Sequence, residues 1–141
     1  MDSAKKREAI VVDLDGTVAL RAERGAFQWE LLETDLPNMP IVNLIRMFKE
    51  IGFASIMVTG RDERLRIRTC QWLSSHEIDV DELHMRREND YRQDALIKRE
   101  IYVDHLEPRF DVKYVLDDRT QVVEMWRSLD LTCLQVAKGD F

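Results

Sequence analysis

Residues that punctuate or staple a chain are scarce: 141 residues carry five glycines, three prolines and two cysteines. So little Gly and Pro excludes a collagen-like or low-complexity polymer. Cys70 and Cys133 lie far apart in sequence and read as two buried thiols of a reducing compartment. No stretch approaches the ~18 consecutive apolar residues of a membrane span. The polar start, Met1 to Glu8, lacks the apolar core of a signal peptide, so the expected location is the cytoplasm, with no membrane partner. Positive charge is not in excess either. Lys and Arg number 21 against 27 Asp and Glu, a net charge of −6, which gives no support to a broadly basic nucleic-acid surface.

What is present is an ordinary globular composition, 45% hydrophobic. A single domain of this length buries about 68–70% of its unfolded surface, enough for a core without disulfides. Ala9-Ile10-Val11-Val12 is a short β-branched run, the pattern of a strand buried on both faces. Asp13 to Gly25 reads as a loop. From Pro40, Ile41, Val42, Leu44, Ile45, Phe48 and Ile51 keep helical spacing until Gly52 ends the helix. Phe53 to Val58 predicts a second strand, Asp62 to Ser75 a helix, and Glu82 to Met85 a third strand. Asp94 to His105 predicts a helix with Leu96, Ile97, Ile101 and Tyr102 on its apolar face. A fourth strand over 112–116, a helix over 119–129 and a fifth strand over 132–137 complete the alternation. Strand–helix alternation throughout predicts one α/β domain over 1–141, a Rossmann-like three-layer fold with a mostly parallel sheet. In such sheets chemistry collects beyond the carboxyl ends of the strands.

Those ends carry the informative residues. Asp13-Leu14-Asp15-Gly16-Thr17 follows the first strand directly. An Asx-Gly turn explains Asp15-Gly16 but not a second acid at the strand end. A carboxylate can attack phosphorus, and a second one two residues on can protonate the leaving oxygen and then deprotonate water. Thr59-Gly60-Arg61 follows the second strand, where a hydroxyl and backbone N–H groups suit a phosphate oxygen, although Thr is also a common helix cap. Asp117-Asp118 follows the fourth strand. Capping of the next helix explains one of these acids; a hard cation such as Mg²⁺ explains both. Lys98 precedes that strand and is placed to offset negative charge.

In this order, Asp13/Asp15, Thr59, Lys98 and Asp117/Asp118 resemble the motifs of the haloacid dehalogenase (HAD) superfamily of phosphotransferases. A longer stretch, Asp117 to Arg127, together with the ending Gln135 to Phe141 and the steps Arg24-Gly25 and Thr34-Asp35, is similar to the 3′-phosphatase domain of phage polynucleotide kinase–phosphatases. The similarity runs from about Val11 to Phe141. It implies a Mg²⁺-dependent 3′-phosphatase acting on DNA or RNA ends. Asp13 is then the nucleophile, Asp15 the general acid and base, and Thr59 and Lys98 hold the phosphoryl group, with Arg24 and Arg61 serving the active site. Asp13, the Asp15 backbone carbonyl, Asp117 and Asp118 surround the metal. Asp94, one helical turn before Lys98, orients that lysine.

Two departures from the phage pattern stand out. No G-x-x-x-x-G-K-[ST] phosphate loop is present, so the expectation is either a free-standing phosphatase or a domain of a longer protein, with a kinase or ligase partner in cis or in trans. The segment after Thr59-Gly60-Arg61 is also shorter. The gaps between motifs leave no room for a large cap domain, which suits a polymer end. Clusters at Arg61, Arg64, Arg66 and Arg68, and at Arg86, Arg87, Arg92, Lys98 and Arg99, either contact the phosphate backbone or pair with Asp62, Glu63, Glu88 and Asp94. Two other functions stay open. One is a HAD phosphatase acting on small nucleotide or sugar phosphates. The other is a catalytically idle module that binds phosphate or a partner, against which intact Asp13 and Asp15 argue.

Overall fold

A computed structural model describes residues 5–141; residues 1–4, half of the polar start, lie outside the described residues. Five parallel strands form the central sheet, β1 (Arg7–Val12), β4 (Ala54–Asp62), β5 (Glu82–Arg86), β6 (Phe110–Asp117) and β7 (Cys133–Gln135). Their spatial order is β5-β4-β1-β6-β7. A separate two-stranded antiparallel ribbon, β2 (Ala19–Leu20) with β3 (Leu36–Pro37), sits in the long connection after β1.

The side chains of β1 explain the layering. Successive strand residues point to opposite faces. Ala9 and Val11 join Ala54, Ile56, Val122 and Trp126 on one face. Ile10 and Val12 join Ile41, Ile45, Trp72 and Leu73 on the other. Helices α3 (Asp94–Ile101) and α4 (Thr120–Ser128) cover the first face, and α1 (Met39–Glu50) and α2 (Arg66–Ser75) cover the second. Each fully buried Val, Ile or Leu contributes roughly 1.5–3 kcal/mol, so both faces are strongly held. This is the three-layer α/β architecture expected. No cap domain interrupts it: the connection from β1 to α1 holds only the small ribbon and a 3-10 turn, Trp29–Thr34.

Local chemistry sets the boundaries. α1 begins with Pro40 in its first turn and ends before Gly52, whose φ is +92°, a left-handed conformation that Gly adopts without strain. Asn38 Nδ2 ties the helix entry to the Thr17 carbonyl at 2.9 Å.

Several sequence expectations need correction. Asp13 to Gly25 is not wholly loop, because β2 lies inside it. β4 does not stop at Val58 but runs to Asp62, with a register shift against β5 between Thr59 and Asp62; such a bulge re-aims side chains. α3 ends at Ile101 and widens into a π turn over Tyr102–Leu106. Its buried face is Ile97, Lys98 and Ile101, so Leu96 is exposed. Of the two cysteines only Cys133 is buried; Cys70 is exposed, because α2 turns Thr69, Trp72 and Leu73 inward. Among the described residues no helix is long and apolar enough to cross a membrane.

Candidate active site

A cleft of about 660 Å³ opens beyond the carboxyl ends of β1, β4 and β6 and is lined by Asp13, Asp15, Arg61, Lys98, Asp117 and Asp118. β1 stands between β4 and β6 in the sheet, and the chain goes out one way through β4 and β5 and returns through β6 and β7. Ligands of doubly wound sheets bind at such a switch point.

Asp13 follows β1 directly, and its N–H donates to the Leu116 carbonyl of β6 at 2.9 Å. Its Oδ1 accepts from Lys98 Nζ at 2.8 Å, and its Oδ2 accepts from Thr17 Oγ1 at 3.1 Å. Lys98 also donates to Asp117 Oδ2 at 2.9 Å. α3 thus carries one amine into the core, between two carboxylates. Burial pushes the Asp13 carboxyl well above the usual range, Asp117 adds to that, and Lys98 opposes it. Burial likewise raises Asp118. Burial disfavours the charge on Lys98, but Asp117 and Asp13 more than offset it, so the ammonium is held charged.

Asp117 accepts three hydrogen bonds. Its Oδ1 accepts from the Asp118 N–H at 2.9 Å, and its Oδ2 accepts from Trp126 Nε1 at 3.1 Å as well as from Lys98. Asp118 does not cap α4: the cap position is Arg119, with no side-chain cap. Instead its carboxylate reaches over Gly16, whose φ is +86°; a Cβ there would lie 2.2 Å from Asp118 Oδ2. Asp13, Asp117 and Asp118 each offer an oxygen, all within 4.8 Å of one another. Three buried carboxylates against a single ammonium leave excess negative charge, and the donors are all oxygen. That set fits a hard divalent cation such as Mg²⁺.

Asp15 belongs to a second network. Arg61 grips it in bidentate fashion, Nε to Oδ2 at 2.9 Å and Nη2 to Oδ1 at 2.7 Å. Arg24 Nη2 adds a bond to Oδ1 at 3.1 Å. Behind the arginines stands Asp35, 2% exposed, which accepts both Nε and Nη2 of Arg24 at 2.8 Å and Nη2 of Arg61 at 3.2 Å. Trp29 covers both guanidinium groups, at 4.6 and 5.1 Å from its ring centre, the range of cation–π contact. Arg61 Nη1 donates to Thr69 Oγ1 at 3.1 Å. The bulge at Gly60-Arg61 aims this side chain into the cleft.

Thr59 is fully buried and accepts the Arg61 N–H at 3.1 Å; its neighbours Gly60 and Arg61 line the cleft, and it does not. Contrary to expectation, Asp94 does not contact the Lys98 amine. It pairs with Arg86 and with Arg119, the latter at 3.2 Å, while Lys98 is oriented by Asp13 and Asp117. Of the two basic clusters, Arg64, Arg66 and Arg68 pair with Asp62, Glu63 and Glu33. Arg86 and Arg92 line the cleft. Sequence reasoning gave no role to Thr17, Trp29, Asp35, Thr69 or Trp126. Thr17 stood in the Asp13–Thr17 motif, Asp35 in the Thr34-Asp35 step and Trp126 in the Asp117–Arg127 stretch, whereas Trp29 and Thr69 carried no signal.

A family profile described as "Polynucleotide kinase PNKP phosphatase domain" matches residues 7–141. A "Putative bifunctional polynucleotide kinase/RNA ligase" of Autographa californica nuclear polyhedrosis virus is 28% identical over 126 residues, 87% of this chain and 18% of the viral protein. A chain of the Pnkp1/Rnl/Hen1 RNA repair complex is 38% identical, with a TM-score of 0.93, over 100% of this chain and 46% of that one. The chain therefore spans less than half of these relatives. The class C acid phosphatase from Bacillus anthracis with tungstate bound shares the fold, with a TM-score of 0.67 at 12% identity over 98% of this chain and 69% of that one.

Proposed function

The chain belongs to the polynucleotide kinase PNKP phosphatase domain family, and from that membership we propose that it is a Mg²⁺-dependent, cytoplasmic polynucleotide 3′-phosphatase working through an aspartyl-phosphate. The observation that carries this reading is the pair of carboxylates at the end of β1. Asp13 is sealed beside Lys98, and Asp15 faces the cleft in the grip of two arginines.

In the first step Arg61 turns to the phosphoryl oxygens and Asp15 takes a proton from solvent; Asp13 attacks phosphorus, the bond from phosphorus to the 3′ oxygen breaks, and Asp15 gives that oxygen its proton. In the second, water attacks the phospho-aspartate, Asp15 takes the water proton, and the acyl phosphate bond breaks to release inorganic phosphate. Asp15 ends each cycle protonated, as it was at the attack. Lys98 offsets charge beside the nucleophile, Arg61 and the backbone around Thr59 receive phosphoryl oxygens, and Arg24, whose donors go to Asp15, Asp35 and two backbone carbonyls, serves the site by holding Asp15. Mg²⁺, when bound, supplies positive charge to those oxygens; Asp13, the Asp15 carbonyl, Asp117 and Asp118 would hold it. The bonds that occupy Asp117 favour Asp118 as the more direct ligand and Asp117 as the anchor of Lys98.

The absence of a cap leaves the cleft accessible to a chain end, which supports a polymer substrate. The viral relative's name joins a kinase and a ligase, and the solved relative sits in an RNA repair complex; both support a kinase or ligase partner, in cis or in trans. The test is phosphate release, with and without Mg²⁺, from one oligonucleotide phosphorylated at its 3′ or its 5′ end, beside nucleotide and sugar phosphates. Mg²⁺-dependent release favouring the 3′ end supports the reading. Release confined to small esters overturns it.

A further inference from the structure

Two aromatic side chains on the rim of the cleft cover nothing. Phe27 and Tyr91 are each 85% exposed and both line the active-site cleft. They come from separate segments. Phe27 lies in the connection between β2 and the Trp29 turn, and Tyr91 lies in the loop between β5 and α3. Each is held from behind. Phe27 meets Trp29 edge to face with ring centres 6.5 Å apart, and the Tyr91 hydroxyl donates to Asn89 Oδ1 at 3.3 Å. Single exposed apolar side chains are ordinary on a protein surface, but these two border the same cleft, where a bound ligand would cover both.

The surrounding charge identifies the occupant. Arg21 lines the same cleft and, among the described residues, has no carboxylate partner in any ion pair. Arg86 and Arg119 line it too and share the single carboxylate of Asp94. Aromatic faces interleaved with cations over a phosphate-accepting site match single-stranded nucleic acid, whose bases stack while its phosphates pair. An acidic peptide would engage the arginines but supply no flat partner for two separate rings.

We propose that Phe27 and Tyr91 are a stacking platform for the unpaired bases next to the terminal phosphate, which makes the enzyme selective for single-stranded, base-bearing ends. This inference rests on the polynucleotide reading and adds the part of the substrate that is gripped. Because every base has a stacking face, the platform tolerates any sequence.

The test compares kcat/KM on a 3′-phosphorylated octanucleotide with the same oligomer lacking bases at its last two positions, and with a duplex carrying a blunt 3′-phosphate. The base-bearing single strand is expected to be preferred over the abasic one by about tenfold, the scale of one stacked base. In Phe27→Ala/Tyr91→Ala that ratio is expected to fall close to one. The ratio cancels any general loss of activity from the change beside Trp29. Equal rates on base-bearing and abasic ends in the unaltered protein overturn the platform alone. A ratio that survives the double substitution assigns the preference elsewhere and also overturns it. No turnover on any oligonucleotide, with turnover on small esters, overturns the polynucleotide reading itself.

Discussion

Lys98 Nζ stands 2.8 Å from Asp13 Oδ1, with the amine 3% and the carboxylate 7% exposed. The same amine reaches Asp117 at 2.9 Å. Few lysines are this deeply buried, and among the described residues this is the one cation that pairs with the clustered carboxylates. Lys98→Met keeps the volume and removes the charge, leaving Asp13 and Asp117 to repel each other. Removing one member of a buried pair costs about 3–5 kcal/mol. Thermal unfolding of the metal-free variant is therefore expected about 10 °C lower, at roughly 3 °C per kcal/mol for this size. Turnover should fall with it. A solvated helix-face lysine would move the melting temperature by a degree or less, and that result would remove Lys98 from the site.

Gly16 ties the nucleophile loop to the metal-side carboxylates. Its φ of +86° and the Asp118 Oδ2 atom, 2.2 Å from where a Cβ would stand, leave no room for a side chain. Gly16→Ala is expected to destabilise the fold by about 1–3 kcal/mol through backbone strain. Activity should fall much further, because Asp118 can escape the methyl group only by leaving its position. Chemical denaturation and steady-state assays on one preparation separate the two effects. Full activity at reduced stability would mean that the position of Asp118 is not needed.

Much of this site was legible because β1 announces it. Four apolar residues stop at Asp13, and a core strand does not end on paired acids without a use for them. β1 and β4 were readable for the same reason, since each is an apolar run that gives way to polar residues, whereas β5, Glu82–Arg86, mixes polar and apolar side chains. The failures share a physical cause. Asp35 is 26 residues from Arg61, and Trp126 is nine from Asp117; their roles arise from packing between elements, which no periodicity encodes. Leu96 was misplaced because the helix turns an amine inward where the pattern favoured an apolar side chain. Asp94 sits one turn from Lys98, but the open cleft beside it gives it arginines to bond.

Arg61 joins Asp15, Asp35 and Thr69 through one planar guanidinium. Lysine keeps the charge and loses the fork. Arg61→Lys is expected to lower kcat/KM by about 10- to 100-fold, the range of one or two charge-assisted hydrogen bonds. The loss should be equal on oligonucleotides of different sequence, because phosphate contacts carry no sequence information. Raising the salt concentration should weaken longer oligomers more than mononucleotides, since only the former engage several phosphates. Near-normal rates in Arg61→Lys would show that charge alone suffices at this position.

Mg²⁺ and protons compete for the same oxygens, which gives a signature independent of activity. Burial, followed by Asp117, raises the Asp13 carboxyl, and burial raises Asp118. The folded, metal-free protein therefore holds protons that the unfolded chain releases near pH 4. The stability this confers is complete below pH 4 and is lost as pH rises through the higher folded values. A divalent cation needs these carboxylates ionised, so binding expels the protons and tightens as pH rises. At 100 times its dissociation constant Mg²⁺ adds about 2.7 kcal/mol. The increase in melting temperature produced by a fixed Mg²⁺ concentration is thus expected to grow between pH 5 and pH 8. Asp13→Asn cannot ionise there and should flatten that slope as well as abolish turnover. Ca²⁺, which takes longer bonds and more ligands, should raise the melting temperature yet support little phosphate release. A Mg²⁺ effect that is the same at both pH values, or larger in acid, would place the cation away from Asp13 and Asp118.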